Sequence, residues 1–164
     1  MMKIPDNWKA GADYLDKRVI LVTGAASGIG AAVAMSYAKH GATVILLDRT
    51  IRPLENIYDA IESAGGRQPA IYPMNLEGAA EKDYSDLAAT IDSEFGRLDG
   101  IVHNAAMLAA LTPVAHIETE LWYKIMQVNL TAPFLITRSC LELLMKSPQA
   151  SILFSADHVG RKGK

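Results

Sequence analysis

The chain has 164 residues, half of them hydrophobic and 21% charged, with a net charge of −2. That length suits one domain with a core of its own, and the composition is that of an ordinary globular protein. Lys and Arg are scattered with no basic block, which argues against nucleic acid as a partner, and no run reaches the roughly 18 apolar residues that a bilayer span needs.

The first 16 residues have no continuous apolar stretch, so they are no signal peptide and are expected to form an arm outside a domain over residues 17–164. "RVILVTG" (18–24) is a short continuous apolar run, the pattern of a strand buried on both faces of a parallel sheet. "GIGAAVAMSYAKHG" (28–41) has helical spacing with Gly41 as its stop. "ATVILLD" (42–48) is a second buried strand. Pro53 is expected to open the next helix, and Gly65-Gly66 to end it. "QPAIYPMNL" (68–76) is a third strand, weakened by two prolines. An amphipathic helix over 79–96 closes on Gly96, and "RLDGIVHNAA" (97–106) is a fourth strand. Residues 112–146 read as one long helix or two in series, and "ASILFSA" (150–156) as a buried fifth strand. Five alternations of strand and helix predict an α/β fold, a doubly wound parallel sheet with helices on both faces. Cys140 is the only cysteine, so no intrachain disulfide is possible. On the apolar stretch "TRSCLELLM" it is expected to be a buried, inert thiol. A reducing, cytoplasmic location is expected.

"VTGAASGIG" sets Gly24, Gly28 and Gly30 between the first strand and the first helix, a G-x-x-x-G-x-G spacing. Such a turn brings backbone close to a pyrophosphate, and the following helix N-terminus offers free N–H groups and the positive end of its dipole. Ser27 can add a hydroxyl. Asp48 ends the second strand 18 residues after Gly30. A carboxylate there accepts from both hydroxyls of an adenine ribose and repels a 2′-phosphate, which favours NAD over NADP. Arg49 pulls the other way: it can stack on adenine or pair with a 2′-phosphate, or it can be a solvated surface residue.

With "TGAASGIG", "HNAA" at 103–106 and "VNL" at 128–130 in that order, the sequence resembles the short-chain dehydrogenases/reductases. The resemblance covers residues 17–163. It implies a Rossmann-type sheet, a nicotinamide dinucleotide (NAD, with NADP as the other possibility), and hydride transfer between it and a small alcohol or carbonyl. Carried over to matching positions, Gly24, Ser27, Gly28, Ile29 and Gly30 would hold the pyrophosphate and Asp48 the ribose. Asn75 and Leu76 stand where the family has Asp and an apolar residue beside adenine. Asn104 and Ala105 would flank the cofactor, with Ala106 where glycine is usual. Asn129 matches an Asn that helps order a proton-relay water. On the residue alone it can be a helix-kink residue bonded to backbone, a role compatible with the first. The region 130–146 packs between subunits in the family, so a homo-oligomer is expected.

The family's chemistry also uses a Ser after the fifth strand, then a Tyr and, four residues later, a Lys that lowers the phenol's pKa. None of the six tyrosines has a lysine four residues on, and only "HVGRKGK" follows Asp157. Asp157 occupies the serine's place, because Ser155 falls two residues too early. Asp157 and His158 as a substitute acid/base pair is the sharp reading and a solvated polar turn the bland one. The expectation is a family sheet of about five strands lacking the last two strands, which leaves the fifth strand a bare sheet edge with one face uncovered, and so an oligomer or a chain only marginally stable alone. Two functions fit: the cofactor-binding part of an oxidoreductase, inactive as this chain stands, or a non-catalytic dinucleotide-binding or regulatory homologue.

Overall fold

In the computed structural model, residues 9–110 and 112–156 are described. Five parallel strands form one sheet in the order β3-β2-β1-β4-β5. They are β1 (Val19–Thr23), β2 (Thr43–Asp48), β3 (Ala70–Pro73), β4 (Gly100–His103) and β5 (Ser151–Phe154). Between them run α1 (Gly28–Lys39), α2 (Ile51–Ser63), α3 (Glu81–Phe95), α4 (Thr119–Met126), α5 (Ala132–Ser139) and α6 (Leu141–Met145). Successive strand residues point to opposite faces, so each strand feeds two cores. Ile20, Val22, Val44 and Leu46 pack with Ala34, Ala38, Leu54 and Ile61 under α1 and α2. Leu21, Ile45 and Leu47 pack with Leu87, Ile91, Ile136 and Leu144 under α3, α5 and α6. The apolar runs of β1 and β2 lack polar alternation because both of their faces are covered.

Several boundaries differ from the sequence expectation. α2 begins at Ile51, and Pro53 is its third residue, still within the first turn, where no intrahelical partner awaits its missing N–H. β3 keeps only four residues, with Pro73 at its end on the sheet edge, where a missing donor costs least. The stretch 112–146 is neither one helix nor two. A 3-10 turn (Val114–His116) precedes α4, a π turn (Gln127–Thr131) joins α4 to α5, and Cys140 separates α5 from α6. Pro133 accounts for the π turn: it gives no N–H to the carbonyl of Asn129 and its ring crowds that carbonyl, so the preceding turn widens. β5 reads by its apolar run as a buried strand, but it lies as the bare sheet edge expected of a sheet lacking the family's last two strands: it is exposed along its whole length, with Phe154 at 63%, and among the described residues it pairs only with β4 and no helix covers it. The expected burial of Cys140 is met: it is fully enclosed, and burial pushes its thiol up to about 12.

Of the residues read as an arm, 9–16 are described. Leu15 packs against the core beneath α1, its N–H donates to His40 O, and Asp16 forms an ion pair with Arg67. Leu130, Phe134, Leu141 and Met145 are exposed along α5, α6 and the preceding turn, and the Arg138 guanidinium lies 5.7 Å from the Phe134 ring centroid. No helix among the described residues is long and apolar enough to cross a membrane.

The strands are pinned at their N-terminal ends by Asp99. Its carboxylate accepts from Val19 N (2.9 Å), from Arg97 through Nε and Nη2 (2.9 and 2.6 Å) and from Ser147 Oγ (2.6 Å), with Arg18 at 3.6 Å. Burial pushes the carboxyl up, but Arg97, the Ser147 hydroxyl and the Val19 N–H outweigh it and hold the group below its ordinary value. Asp99→Asn is expected to lower stability by roughly 2–4 kcal/mol in urea melts. It should also remove the share of stability that the wild type loses as pH falls below the usual carboxylate value and through the lower folded one.

Candidate functional site

At the C-terminal ends of β1, β2 and β4 lies a cleft of about 740 Å³. It sits where the chain, having built β2 and β3 on one side of β1, crosses to place β4 on the other, the usual ligand position in an open α/β sheet. Gly24, Ser27, Gly28, Ile29, Asp48, Arg49, Asn75, Leu76, Asn104 and Ala105 all line it, so ten of the positions singled out from sequence converge on one cavity.

The floor is built by close backbone approach. A Cβ on Gly30 would lie 2.1 Å from Gly24 O and 2.6 Å from Asn104 Nδ2, so α1 can press against the loop only because residue 30 has no side chain. Gly30 is buried and supports the cleft from beneath without lining it. Gly24 turns at φ +67°, and a Cβ there would come within 2.9 Å of Ala105 Cα. Thr23 binds the two loops together. Its Oγ1 accepts from Asn104 N and Ala105 N, both at 3.0 Å, and donates to Val102 O at 3.3 Å. Asn104 returns the contact through Nδ2, which donates to Thr23 O (3.3 Å) and Gly24 O (3.4 Å).

The walls carry the chemistry. Ser27 is the N-cap of α1, but its hydroxyl makes no capping bond, and the first turn holds no acidic side chain. The positive end of α1 therefore meets the cleft with no capping side chain and no anion from its own first turn. A Cβ on Gly28 would meet nothing within 4 Å, so the space beside it is open. Asp48 Oδ2 accepts from Ala26 N (3.4 Å) and Oδ1 from Thr50 N (3.3 Å), so both oxygens are partly engaged in the turn. Arg49 beside it is exposed, lines the cleft and makes no hydrogen bond or ion pair among the described residues. Asn75 Oδ1 accepts from Glu77 N at 3.2 Å, which shapes the loop after β3. These features fit a dinucleotide: an uncapped helix end for its phosphates, a carboxylate and a guanidinium beside one ribose, and apolar Leu76 nearby.

Asn129 is placed differently. It does not line the cleft, and it grips the backbone of Met107 at two points, accepting from its N–H (2.7 Å) and donating to its carbonyl (2.9 Å). Asp157, His158 and the lysines beyond fall outside the described residues. None of the tyrosines lines the cleft: Tyr84 is buried beneath it with its hydroxyl on Gln127, and the others lie elsewhere.

His103 was not singled out from sequence beyond its place in "HNAA". It is 4% exposed at the end of β4, its Nε2 meets Thr137 Oγ1 at 2.9 Å, its ring stacks on Phe154 with centroids 4.8 Å apart, and its Nδ1 has no hydrogen-bond partner among the described residues. Burial lowers its pKa to about 4. The available signal was a titratable ring closing an otherwise apolar strand. Met74, Met107, Leu108 and Val128 also line the cleft, and apolar side chains of that kind carry no motif.

Comparison with known proteins agrees with this geometry. The short chain dehydrogenase family profile matches residues 18–164. The uncharacterized oxidoreductase YciK of Escherichia coli K12 is 41% identical over 152 residues, which is 93% of this chain and 60% of YciK. A short chain dehydrogenase structure from Pseudomonas syringae is similar at 49% identity and TM-score 0.93, over 96% of this chain and 65% of that one. A Shigella flexneri short chain dehydrogenase complexed with NADP is similar at 40% identity and TM-score 0.90, over 94% and 64% of the two chains. The chain belongs to the short-chain dehydrogenase family. It spans 60–65% of the length of these relatives.

Gly30→Ala, normally favourable in a helix, should here destabilise by roughly 2 kcal/mol or more, because backbone must shift to admit the methyl group. Urea titration beside Ala32→Gly, a position exposed on the same helix, checks this. His103 is neutral in the fold but takes a proton near pH 6.5 when unfolded, so stability should fall as pH drops from about 6.5 to about 4, by up to about 3 kcal/mol. His103→Asn should flatten that limb of a stability-against-pH curve.

Proposed function

We propose that this chain is the dinucleotide-binding part of a short-chain oxidoreductase and that it takes NADP in preference to NAD. The observation that carries the reading is the uncapped N-terminus of α1, facing a cleft over a glycine floor. Backbone N–H groups at residues 28–30 and the Ser27 hydroxyl would bind the pyrophosphate. Asp48 and Arg49 would meet the adenine ribose, with Leu76 against the base. Asn104 and Ala105 would meet the half that bears the nicotinamide, which when bound supplies or accepts the hydride.

The preference for NADP departs from the sequence expectation of NAD, which put Asp48 ahead of Arg49. Both oxygens of Asp48 already accept from backbone N–H groups, and Arg49 on the cleft wall makes no hydrogen bond or ion pair among the described residues. A guanidinium so placed suits a 2′-phosphate. The NADP held by the Shigella flexneri relative supports the same choice.

Chemistry needs a proton donor and acceptor at the substrate, and no tyrosine among the described residues reaches the cleft. The 164-residue chain by itself is therefore proposed to bind cofactor without turning over alcohols or carbonyls. Association through the exposed stripe on α5 and α6 belongs to the same reading.

Calorimetry with NADP and NAD tests the assignment. NADP should bind more tightly, and Arg49→Ala should weaken NADP by about tenfold while leaving NAD nearly unchanged. Tighter binding of NAD would overturn the choice of cofactor. Binding of neither would overturn the dinucleotide reading itself.

A further inference from the structure

The turn between α4 and α5 touches both walls of the cleft. Toward the loop after β3, Gln127 Nε2 lies 3.5 Å from Leu76 O, 3.4 Å from Ala79 O and 3.3 Å from Tyr84 Oη. One turn earlier, Lys124 pairs with Glu77 of that loop at 3.4 Å. Toward the loop after β4, Asn129 grips Met107 at two points. Val128, between them in sequence, lines the cleft directly. Three consecutive residues of one π turn thus meet the loop bearing Asn75 and Leu76, the cavity, and the loop that follows Asn104 and Ala105.

The amide of Gln127 has two hydrogens and three acceptors in reach, so it serves them by sharing. Tyr84 is fully buried, and Gln127 is the hydrogen-bond partner of its hydroxyl. Turning Gln127 away would strand that hydroxyl and release two loop carbonyls together, which holds the side chain in place. The widened turn lets neighbouring residues reach opposite walls, a placement for which π segments at functional sites are known.

We propose that Gln127 is a positioning residue that sets the adenine-side wall of the cleft against the nicotinamide-side wall held by Asn129. One helical turn then fixes the span of the site, and with it the fit of an intact dinucleotide. The inference rests on the dinucleotide reading given above.

The test titrates the 164-residue chain with NADP, with adenosine 2′,5′-bisphosphate and with nicotinamide mononucleotide. Gln127→Glu keeps the shape but replaces a donor with a carboxylate facing two carbonyls. It should weaken NADP and the adenosine fragment by about tenfold each and leave nicotinamide mononucleotide as in the wild type. Tyr84→Phe removes the shared hydroxyl but keeps both loop carbonyls in reach. It should lower the melting temperature with little change in NADP affinity, which separates positioning from stability. Gln127→Met is the milder second variant, read by the same criteria. Unchanged binding of the adenosine fragment to either Gln127 variant, or equal weakening of all three ligands, would overturn the inference. Loss of folding in both, seen by circular dichroism, would assign Gln127 to the core alone and overturn it equally. A wild-type chain that binds none of the three would instead sink the dinucleotide reading.

Discussion

The contact on which the site depends is between two pieces of backbone. α1 rests on the carbonyl of Gly24 because Gly30 has no side chain to keep it away. That approach fixes where the helix points, and so where its unsatisfied N–H groups face. Thr23 and Asn104 then carry the constraint sideways. Their reciprocal hydrogen bonds tie the end of β1 to the loop after β4, so the floor and one wall of the cleft are a single hydrogen-bonded piece. Little of this depends on large side chains. The precision comes from absent atoms and from one hydroxyl that serves three backbone groups.

The two ends of the sheet divide the work. At the N-terminal ends, Asp99 gathers β1, the turn before β4 and the segment before β5 around one buried carboxylate. At the C-terminal ends, the loops leave their polar groups toward open space. A fold organised this way can change its loops with limited effect on the anchor, since the two clusters share no partner. His103 is the exception. It sits at the cleft end of β4 but is packed as core, with one nitrogen unpaired among the described residues. It adds a second acid-sensitive group, beside β5, to Asp99 at the other end of the strands.

Much of the fold was legible because its strands are buried on both faces, which leaves continuous apolar runs, and because glycines punctuate the helices. The glycine turn was legible for the same reason: Gly24, Gly28 and Gly30 are the site's geometry written in sequence. What stayed hidden arose from tertiary context. The exposure of β5 was legible from the family resemblance, which implies two further strands beside it, and not from the apolar composition of "SILF". The break in 112–146 follows from Pro133 acting on the turn before it, an effect one turn upstream of the residue that causes it. Asp48 was read as a ribose acceptor, and the N–H groups of Ala26 and Thr50 that already donate to its oxygens come from two different loops. Gln127 carries no motif, and its reach to Leu76 and Ala79 exists only once α4 lies beside the loop after β3.

Cys140 gives the molecule a built-in reporter. The thiol is sealed at the junction of α5 and α6, and its raised pKa leaves almost no thiolate at neutral pH. An alkylating reagent can then reach it only when that junction opens. The labelling rate of this one residue would follow the opening of the helix pair beneath which the second core lies, with no added probe and no other cysteine to confuse the signal.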